Sequence, residues 1–459
     1  MKYLILFCLL VVCCCTFGQE STPEEFLSEL IQIESYSGCE VEVARMIGDW
    51  ASTEGFYVTD FVTSEDSRNI LVSLYPLSSR KPNILFSSHM DVVPAEYSEV
   101  WKELPFSGMI SHDTIWGRGA IDCKGLAVMQ LFAMKKFKDS LGTRDLPYNI
   151  SFLGLSEEET MSVNGASLMS SKFMEEINPV VIFGEGGSGL KDILLSKPEV
   201  PVFGISTADK SSLWLKLTAE GGGFGHGAVP SDLYANKRLI KALIRLLDEK
   251  KSARFNLLVM EMFQELGQLE GGLRGFVLKH INWAIFWPIV RKHFREGEPF
   301  NVLIENTFSI THIESSATVS NQMAERAFAI LDCRLLPGME VDKFIKRMQR
   351  VVGSRVEIEI LHQSPTAMPS TLTPFFDNMC TAIKKVYPNA AAIPILFPAT
   401  TDNNFFRNLG IPVYGVIPSV LNAELFETIH STNERIGVDN LEKGIEVYFQ
   451  FLKTNVQGD

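Results

Sequence analysis

Short apolar segments alternate with segments of helical length through much of the chain. The apolar run at 84–86 ends just before His89, and a predicted strand at 149–155 lies between predicted helices at about 126–138 and 166–175. Parallel strands need long crossover connections, which are usually helices that cover the faces of the sheet. The alternation therefore predicts an α/β fold, with a mostly parallel central sheet and helices on both faces.

The character of the sequence changes near Lys210. A strand with the pattern of an edge strand is predicted at 212–219, and a glycine-rich turn and a helix follow it. After a long helical insertion, a strand, a helix and another strand complete the segment. This order is typical of an antiparallel α+β unit. We expect a small α+β domain at residues 211–364, inserted into a larger domain that residues 19–210 and 365–459 form.

The acidic balance of the chain argues against one class of partner. The formal net charge is −13 at pH 7, and the chain has no basic run. Proteins that bind nucleic acids usually present clustered lysines and arginines to the phosphates. The composition therefore predicts no nucleic-acid partner, and we interpret the charge as a contribution to solubility.

The first 18 residues have the pattern of a secretory signal peptide. One lysine precedes an apolar run at 3–15 that is too short to span a bilayer, and small residues occupy the third and first positions before Gln19. The pattern predicts a signal peptide at residues 1–18 and an exported protein, periplasmic or secreted. A lipid anchor on one of the cysteines at 13–15 is less favoured, and a buried N-terminal strand or helix is the structural alternative.

Two histidines and several acids follow predicted strands or lie at strand–helix turns. They are His89, Asp122, Glu158, Glu159, Glu185 and His430. In an open α/β sheet, ligands collect beyond the carboxyl ends of the strands, so these residues are expected to converge. Imidazole and carboxylate donors suit two borderline cations that share a bridging carboxylate, with zinc first and cobalt or manganese as alternatives.

Each of these residues also has a purely structural interpretation. Asp122 opens a predicted helix and could cap it, and the acids at 157–159 could form a solvated loop. Glu185 could be an exposed turn residue, and His430 a buried core histidine. The structural interpretation needs all of these coincidences together, so we favour the metal site.

Seven short motifs, in order along the mature chain, carry a resemblance to a known family. They are HMDVVP at 89–94, GRGAIDCKG at 117–125, EEE at 157–159, EGG at 185–187, GHGAVP at 225–230, LDCRLLPG at 331–338 and HSTNERI at 430–436. The chain resembles the dinuclear zinc metallopeptidase and amidohydrolase family of aminoacylase, glutamate carboxypeptidase and succinyl-diaminopimelate desuccinylase. The resemblance extends over essentially the whole mature chain.

The resemblance implies a set of metal ligands. His89 and Glu185 would bind one zinc ion, and Glu159 and His430 would bind the other. Asp122 would bridge the two ions. The resemblance also implies a cis peptide bond after this bridging acid, which would bring the thiol of the next residue near the metals.

The resemblance further implies the residues that act beside the metals. Glu158 would be the general base, and Asp91 would orient His89 from behind. The family usually has Asp-Glu-Glu where this chain has three glutamates at 157–159. The assignment of Glu158 as base and Glu159 as ligand therefore depends on the register within this motif.

For the inserted domain, the resemblance implies a lid and dimerisation role. His226 would lean over the site and stabilise the oxyanion of the tetrahedral intermediate, often from the partner subunit. Arg334 would bind the substrate carboxylate, and Asn321 is a weaker substrate-binding candidate. The residues at 398–402 match the Gly-Gly-Thr-Asp motif of the family only in part, because Pro-Ala replaces the two glycines.

Residues 250–305 exceed a minimal lid and are strongly apolar at 277–290. We favour helices packed on the lid, and the alternatives are a pocket for a fatty acyl chain or a surface that contacts a membrane. Such an extension resembles that of the vacuolar carboxypeptidase and N-fatty-acyl-amino-acid hydrolase branch. In some relatives it replaces the dimer partner, so we expect a homodimer or a monomer with an extended lid.

The motifs together predict a metal-dependent hydrolase. The expected reaction cleaves an amide bond next to a free carboxylate, as an exopeptidase does on short peptides, with Glu158 as general base. Two alternatives are an N-acyl-amino-acid amidohydrolase, which could take fatty acyl groups, and a non-catalytic binding protein on the same fold.

Overall fold

The computed structural model describes residues 21–96, 98–221, 227–228, 234–249, 254–283, 285–286 and 301–456. The predicted signal peptide at 1–18 and His226 lie outside these ranges, as does part of the apolar segment at 277–290. Within the described ranges, no helix is both long and apolar enough to cross a membrane.

The described strands fall into three sheets. Their bounds are β1 (Tyr57–Val62), β2 (Arg68–Ser73), β3 (Asn83–His89), β4 (Ile110–Ser111), β5 (Thr114–Trp116), β6 (Asn149–Leu155), β7 (Pro179–Leu190), β8 (Val202–Asp209), β9 (Ser211–Glu220), β10 (Thr307–Ser315), β11 (Arg326–Leu335), β12 (Val356–Gln363), β13 (Ala391–Phe397), β14 (Val413–Leu421) and β15 (Arg435–Gly437).

The described α-helices connect and cover these strands. Their bounds are α1 (Pro23–Ile31), α2 (Val41–Thr53), α3 (Lys124–Leu141), α4 (Ala166–Lys172), α5 (Met174–Ile177), α6 (Ala235–Leu247), α7 (Leu257–Glu270), α8 (Gly272–Lys279), α9 (Val341–Val352), α10 (Pro374–Val386), α11 (Asn403–Arg407), α12 (Ala423–Phe426) and α13 (Val438–Val456).

The central sheet has the order β1-β2-β6-β3-β7-β14-β8-β13. Strands β6, β3, β7 and β14 pair in parallel, and β13 pairs in parallel with β8. Strands β1 and β2 add an antiparallel edge. The predicted mostly parallel sheet is therefore confirmed.

Strand β3 shows why helices cover both faces of this sheet. Successive side chains of a strand point to opposite faces. Ile84 and Phe86 pack in the cluster that holds the buried sides of α1, α2, α3, α10 and α13. Leu85 packs in a second cluster with α4, α5 and α11. Both faces of the sheet are buried, so the strand reads as a continuous apolar run.

A second sheet, β10-β11-β9-β12, is antiparallel throughout. Leu213, Leu215 and Leu217 of β9 face the side that α6 and α9 cover. The prediction of an edge strand at 212–219 is wrong, because β9 lies between β11 and β12. The alternating pattern indicates that one face of the strand is covered, but it does not indicate whether the strand pairs with one neighbouring strand or with two.

Helices α7 and α8 belong to the long insertion; α7 packs on β13 of the central sheet, and α8 packs on α7. Val259 and Phe263 of α7 share a cluster with Ile393 and Leu396 of β13. The expectation that the described helices pack on the lid is therefore corrected in part: α7 covers β13, an edge strand of the central sheet, and the same cluster includes Leu336 of the segment predicted as the lid.

Two features of the fold place the candidate residues together. The third sheet, β15-β5-β4, brings β15 beside β5, so the loop before β15 lies next to the turn that carries Asp122. Strand β7 continues to Leu190 and pairs with β14 beyond the point where its pairing with β3 ends. Glu185 thus lies within a strand, and the prediction that it follows a strand is wrong.

Candidate metal centre

His89 closes β3 and presents one ring nitrogen to the site. Its Nδ1 lies 2.9 Å from the backbone carbonyl oxygen of Asp91. Because a carbonyl oxygen only accepts, Nδ1 carries a proton, and Nε2 is the ring nitrogen that faces the site. Nε2 lies 2.9 Å from Oδ1 of Asp122 and 3.5 Å from Oε2 of Glu185. The imidazole is therefore oriented as a metal ligand requires, with Nε2 towards the two carboxylates.

The carboxylate of Asp122 lies between two imidazoles. Its Oδ1 faces His89, and its Oδ2 lies 3.0 Å from Nε2 of His430. The peptide bond between Asp122 and Cys123 is cis, as the resemblance implied. One carboxylate with a different imidazole at each oxygen is the arrangement of a bridging ligand.

Two groups of potential ligand atoms meet at Asp122. His89, Asp122, Cys123 and Glu185 form one, and Asp122, Glu159 and His430 form the other. Within each group, one ligand atom per residue lies within 4.8 Å of all the others. The five residues predicted as metal ligands are thus brought together.

The carboxylates of the motif at 157–159 do not all face the candidate metal centre. Both oxygens of Glu157 accept hydrogen bonds from Asn164, one from its backbone N–H and one from its side-chain amide. Glu159 instead joins the second ligand group, with Oε1 3.2 Å from Nε2 of His430. Glu158 belongs to neither group, and burial, followed by the charge of Glu185, raises its pKa well above the ordinary value.

Asp91 positions both His89 and the motif at 157–159. Its Oδ1 accepts the backbone N–H of Glu158 at 3.1 Å, and its Oδ2 accepts that of Glu159 at 3.0 Å. A hydrogen bond of 2.6 Å from Ser37 Oγ also reaches Oδ2. The closest contact to His89 comes from the backbone carbonyl of Asp91, while its carboxylate lies 3.5 Å from Nδ1.

Glu434 is a residue of the site for which the sequence offered no role. It is fully buried, and its two oxygens accept hydrogen bonds from four donors. These are the guanidinium of Arg118 at 2.7 Å and the backbone N–H groups of Gly119, Ile121 and Asp122 at 3.0, 2.9 and 3.1 Å. An acid four residues after His430, with an arginine in the glycine-rich turn, is the signal that could have identified this pair.

Asp402 is a further buried acid near the centre. Ser162 Oγ donates a hydrogen bond of 2.5 Å to its Oδ1, and its Oδ2 accepts none within the described chain. Burial, followed by the charge of Glu185, raises the pKa of Asp402 to about 7. The site therefore concentrates more carboxylates than its two imidazoles could balance.

The donor set fits divalent cations. Imidazole nitrogen and carboxylate oxygen are both common zinc ligands, and clustered buried carboxylates are costly without a compensating positive charge. Oε1 of Glu159 is buried and accepts no hydrogen bond within the described residues, although it faces His430. An oxygen left without a hydrogen bond in this position is available to a cation.

The substrate-binding candidates lie in or near the second sheet. Arg334 of β11 donates through Nε and Nη2 to Oδ2 of Asp332, and through Nη1 to Oγ1 of Thr400 at 3.0 Å. The backbone carbonyl of Asn321 accepts the N–H of Gly227 at 2.7 Å. Asn321 thus lies beside the segment that contains His226, which is itself outside the described residues.

A sequence profile of the peptidase family M20/M25/M40 matches residues 85–454. The chain is 25% identical over 381 residues to the probable carboxypeptidase S-like 2 of Dictyostelium discoideum, covering 82% of this chain and 72% of that protein. It is also 25% identical over 393 residues to the N-fatty-acyl-amino acid synthase/hydrolase PM20D1 of Mus musculus, covering 83% and 76%. The M20 family metallo-carboxypeptidase Sso-CP2 from Sulfolobus solfataricus shares the fold, with a TM-score of 0.71, 22% identity, and coverage of 94% of this chain and 98% of that one.

Proposed function

The chain belongs to the peptidase family M20/M25/M40, and we propose that it is an exported enzyme that uses two zinc ions to cleave the amide bond next to the free carboxylate of short peptides. The observation that carries the proposal is the carboxylate of Asp122, which lies between the imidazoles of His89 and His430. Family membership and the two donor groups support a metal-dependent hydrolase.

The cations would be held by the residues that meet at Asp122. His89 and Glu185 would bind one ion, Glu159 and His430 the other, with Asp122 shared. When bound, two such cations polarise a carbonyl group and lower the pKa of water, with cobalt or manganese as alternatives to zinc. Asp91 holds a ligand of each cation in place, because it contacts the imidazole of His89 and the backbone of Glu159.

Glu158 is the general base of the proposed reaction. Its backbone is fixed by Asp91, and its carboxylate is free of both ligand groups. One side-chain oxygen of Glu158 would accept a proton from the attacking water and then transfer it to the leaving nitrogen, so that the amine departs neutral. Glu157 is unsuited to this task because Asn164 occupies its oxygens.

Residues of the second sheet and its loops would recognise the substrate. The guanidinium of Arg334 keeps a planar donor fork beside Thr400, which suits a carboxylate. We assign oxyanion stabilisation to His226 and a supporting contact to Asn321. This arrangement selects substrates with a free carboxylate next to the scissile bond.

Metal removal and a substrate panel test the proposal on the same protein sample. Hydrolysis of dipeptides should disappear after treatment with a chelator and return with zinc, while the same peptides with an amidated C-terminus should be poor substrates throughout. Metal analysis should find two ions per chain. Undiminished activity in a protein shown to be free of metal would refute the proposal, and tight binding of peptides without turnover would favour the binding-protein alternative.

A second candidate is the hydrolysis of N-acyl amino acids. It is favoured by the similarity to an N-fatty-acyl-amino acid synthase/hydrolase and by the exposed apolar side chains of Phe276, Trp283 and Ile285. N-acyl amino acids of increasing chain length belong in the same panel. Rates that rise with acyl length and exceed those of dipeptides would favour this candidate, and rates that fall with length would favour the exopeptidase.

Export and assembly complete the proposal. We propose that residues 1–18 are removed before Gln19, and N-terminal sequencing of the secreted or periplasmic protein tests this. The protein would be a homodimer, or a monomer in which the extended lid replaces the partner. Sedimentation distinguishes these two states. Liposome flotation tests the less favoured membrane contact through residues 277–290.

A further inference from the structure

Cys123 stands at the metal centre with its side chain fully buried. It follows Asp122 directly and precedes α3, and its Sγ belongs to the ligand group of His89, Asp122 and Glu185. Its backbone carbonyl accepts hydrogen bonds from Ser88 Oγ at 3.0 Å and from the N–H of Ala127 at 3.1 Å. The sulfur is therefore held beside the imidazole and the carboxylates by a fixed backbone.

The two ligand groups differ in their chemistry. One offers nitrogen, two carboxylates and sulfur, while the other offers nitrogen and two carboxylates only. A tetrahedral zinc ion bonds nitrogen or oxygen at about 2.0 Å and sulfur at about 2.3 Å, so its ligand atoms lie roughly 3–4 Å apart. Four atoms within 4.8 Å of one another need only small side-chain movements to reach that spacing.

The other buried thiol of the described chain provides an internal contrast. Cys333 and Cys123 are both fully buried and both pack in apolar clusters, Cys333 between the second sheet and helices α6 and α9, and Cys123 in the cluster that also buries Ile84 and Phe86 of β3. Among the described cysteines, only Cys123 shares a ligand group with histidine and carboxylates. Cys123 is therefore distinguished from Cys333 by its histidine and carboxylate neighbours, and not by its burial.

We propose that Cys123 supplies a sulfur ligand to the cation held by His89, Asp122 and Glu185, and that this position prefers thiophilic cations. The proposal rests on the dinuclear centre of the proposed function. Sulfur coordination requires the thiolate, and the thiol proton is released to solvent as the cation binds. The position with sulfur then favours zinc, cadmium or cobalt over manganese, while the position of Glu159 and His430 discriminates less.

Cobalt spectroscopy of the protein without residues 1–18, which removes Cys8 and the cysteines at 13–15, tests the proposal without any activity assay. Metal-free wild type, Cys123→Ser and Cys333→Ser proteins are titrated with Co²⁺. All three should develop the visible d–d bands of bound cobalt. Wild type and Cys333→Ser should also show a near-ultraviolet sulfur-to-cobalt charge-transfer band, which Cys123→Ser should lack. The remaining cysteines are common to wild type and Cys123→Ser, so the difference spectrum isolates this thiol.

The outcomes separate the inference from the proposed function. Visible bands without a charge-transfer band in wild type overturn the sulfur ligand and leave the dinuclear centre standing. The absence of all cobalt bands contradicts the centre itself. A charge-transfer band that persists in Cys123→Ser also overturns the inference, because another sulfur would be responsible.

Cadmium measurements decide the question even where Cys123→Ser fails to fold. The ¹¹³Cd spectrum of wild type should contain one resonance shifted strongly downfield by sulfur and a second from a position with nitrogen and oxygen ligands only. Two resonances in the nitrogen–oxygen range overturn the proposal. Where the variant folds, its affinity for Cd²⁺ should fall about tenfold or more, while its affinity for Mn²⁺ should change less than about twofold.

Discussion

The side chain of Glu434 accepts the backbone N–H of Asp122 in a hydrogen bond of 3.1 Å. The same carboxylate pairs with Arg118 in a fully buried setting, so one acid holds the turn that carries the candidate bridging ligand. Glu434 stands four residues after His430, so this hydrogen bond joins two of the three segments that contribute to the second ligand group.

Replacing Glu434 should therefore weaken both the fold and the metal centre. Glu434→Ala leaves Arg118 buried without its partner, and the free energy of unfolding should fall by about 3–5 kcal/mol. Glu434→Gln keeps one accepting oxygen, so it should fold but bind zinc about 10–100-fold more weakly. Urea denaturation and calorimetric zinc titration measure these effects, with the exposed Glu427→Gln as control. Unchanged zinc affinity in Glu434→Gln would contradict a positioning role.

Substitution of Asp91 should lower turnover more than it weakens substrate binding. In Asp91→Asn, one oxygen becomes an amide donor that faces the N–H of either Glu158 or Glu159, so the motif should shift from its position. We expect a decrease in kcat of about 10–100-fold with little change in KM. Ser37→Ala removes one hydrogen bond to the same carboxylate and should cost only about 0.5–1.5 kcal/mol of stability. Equal kinetic effects of the two substitutions would argue against the specific role of Asp91.

The base assignment is tested by two neighbouring glutamates. Glu158→Gln removes the proton acceptor and should lower kcat by about 10²–10⁴-fold while both metal ions remain bound. Glu157→Gln alters a carboxylate that faces Asn164 and should leave kcat within about threefold of wild type, because an amide oxygen still accepts one of these bonds. Steady-state kinetics and metal analysis on both proteins decide the register. A larger loss in Glu157→Gln would move the assignment by one residue.

Arg334 should control recognition of the substrate carboxylate. A charge-assisted hydrogen bond contributes about 1.5–3 kcal/mol, so Arg334→Ala should raise KM for dipeptides about 10–100-fold. Thr400→Val removes the hydrogen bond from Nη1 and the one that Thr400 Oγ1 donates to the backbone carbonyl of Lys210, and it should have a smaller effect. The comparison is made with substrates whose carboxylate is free or amidated. If Arg334→Ala weakens both kinds of substrate equally, the arginine does not read the carboxylate.

Glu40 should make stability depend on pH. Its Oε1 accepts the backbone N–H groups of Gly38 and Glu157, and burial raises the pKa of its carboxyl above the ordinary 4.5. The unfolded chain has the ordinary pKa and the folded protein the raised one. Between these values the folded state binds more protons than the unfolded state, so the free energy of unfolding should decrease as the pH rises above 4.5. Urea denaturation across this pH range, with zinc present, measures the free energy of unfolding. Its decrease with rising pH should be smaller in Glu40→Gln than in wild type, and the same as wild type in the exposed Glu42→Gln. Parallel curves for wild type and Glu40→Gln would contradict the prediction.

The central sheet was predictable because its burial on both faces leaves continuous apolar runs such as β3. The same signal failed for β8, which no helix separates from β7, so the strand–helix alternation does not mark it. Strand β10 was missed for a different reason, since most of its side chains are at least partly exposed and its sequence carries little apolar patterning. Hydrophobic patterning thus reports burial well and pairing poorly.

Only part of the candidate site could be predicted from the sequence. Residues whose side chains act directly, such as His89 and His430, could be recognised from their chemistry and their place after strands. The hydrogen bonds that Asp91 and Glu434 accept from backbone N–H groups could not be recognised, because those groups belong to distant segments. Which backbone groups a carboxylate meets is decided by packing of the whole chain, and local sequence carries little information about it.

The bond between Glu434 and Asp122 joins residues 312 positions apart. During synthesis, the donors of His89, Asp122 and Glu185 leave the ribosome long before His430 and Glu434 do. The two ligand groups share Asp122, and Glu434 holds the turn that carries it, so neither group is complete until nearly the whole polypeptide has been made. Cation loading is therefore expected to be a late event, completed at both positions only after translation has almost ended.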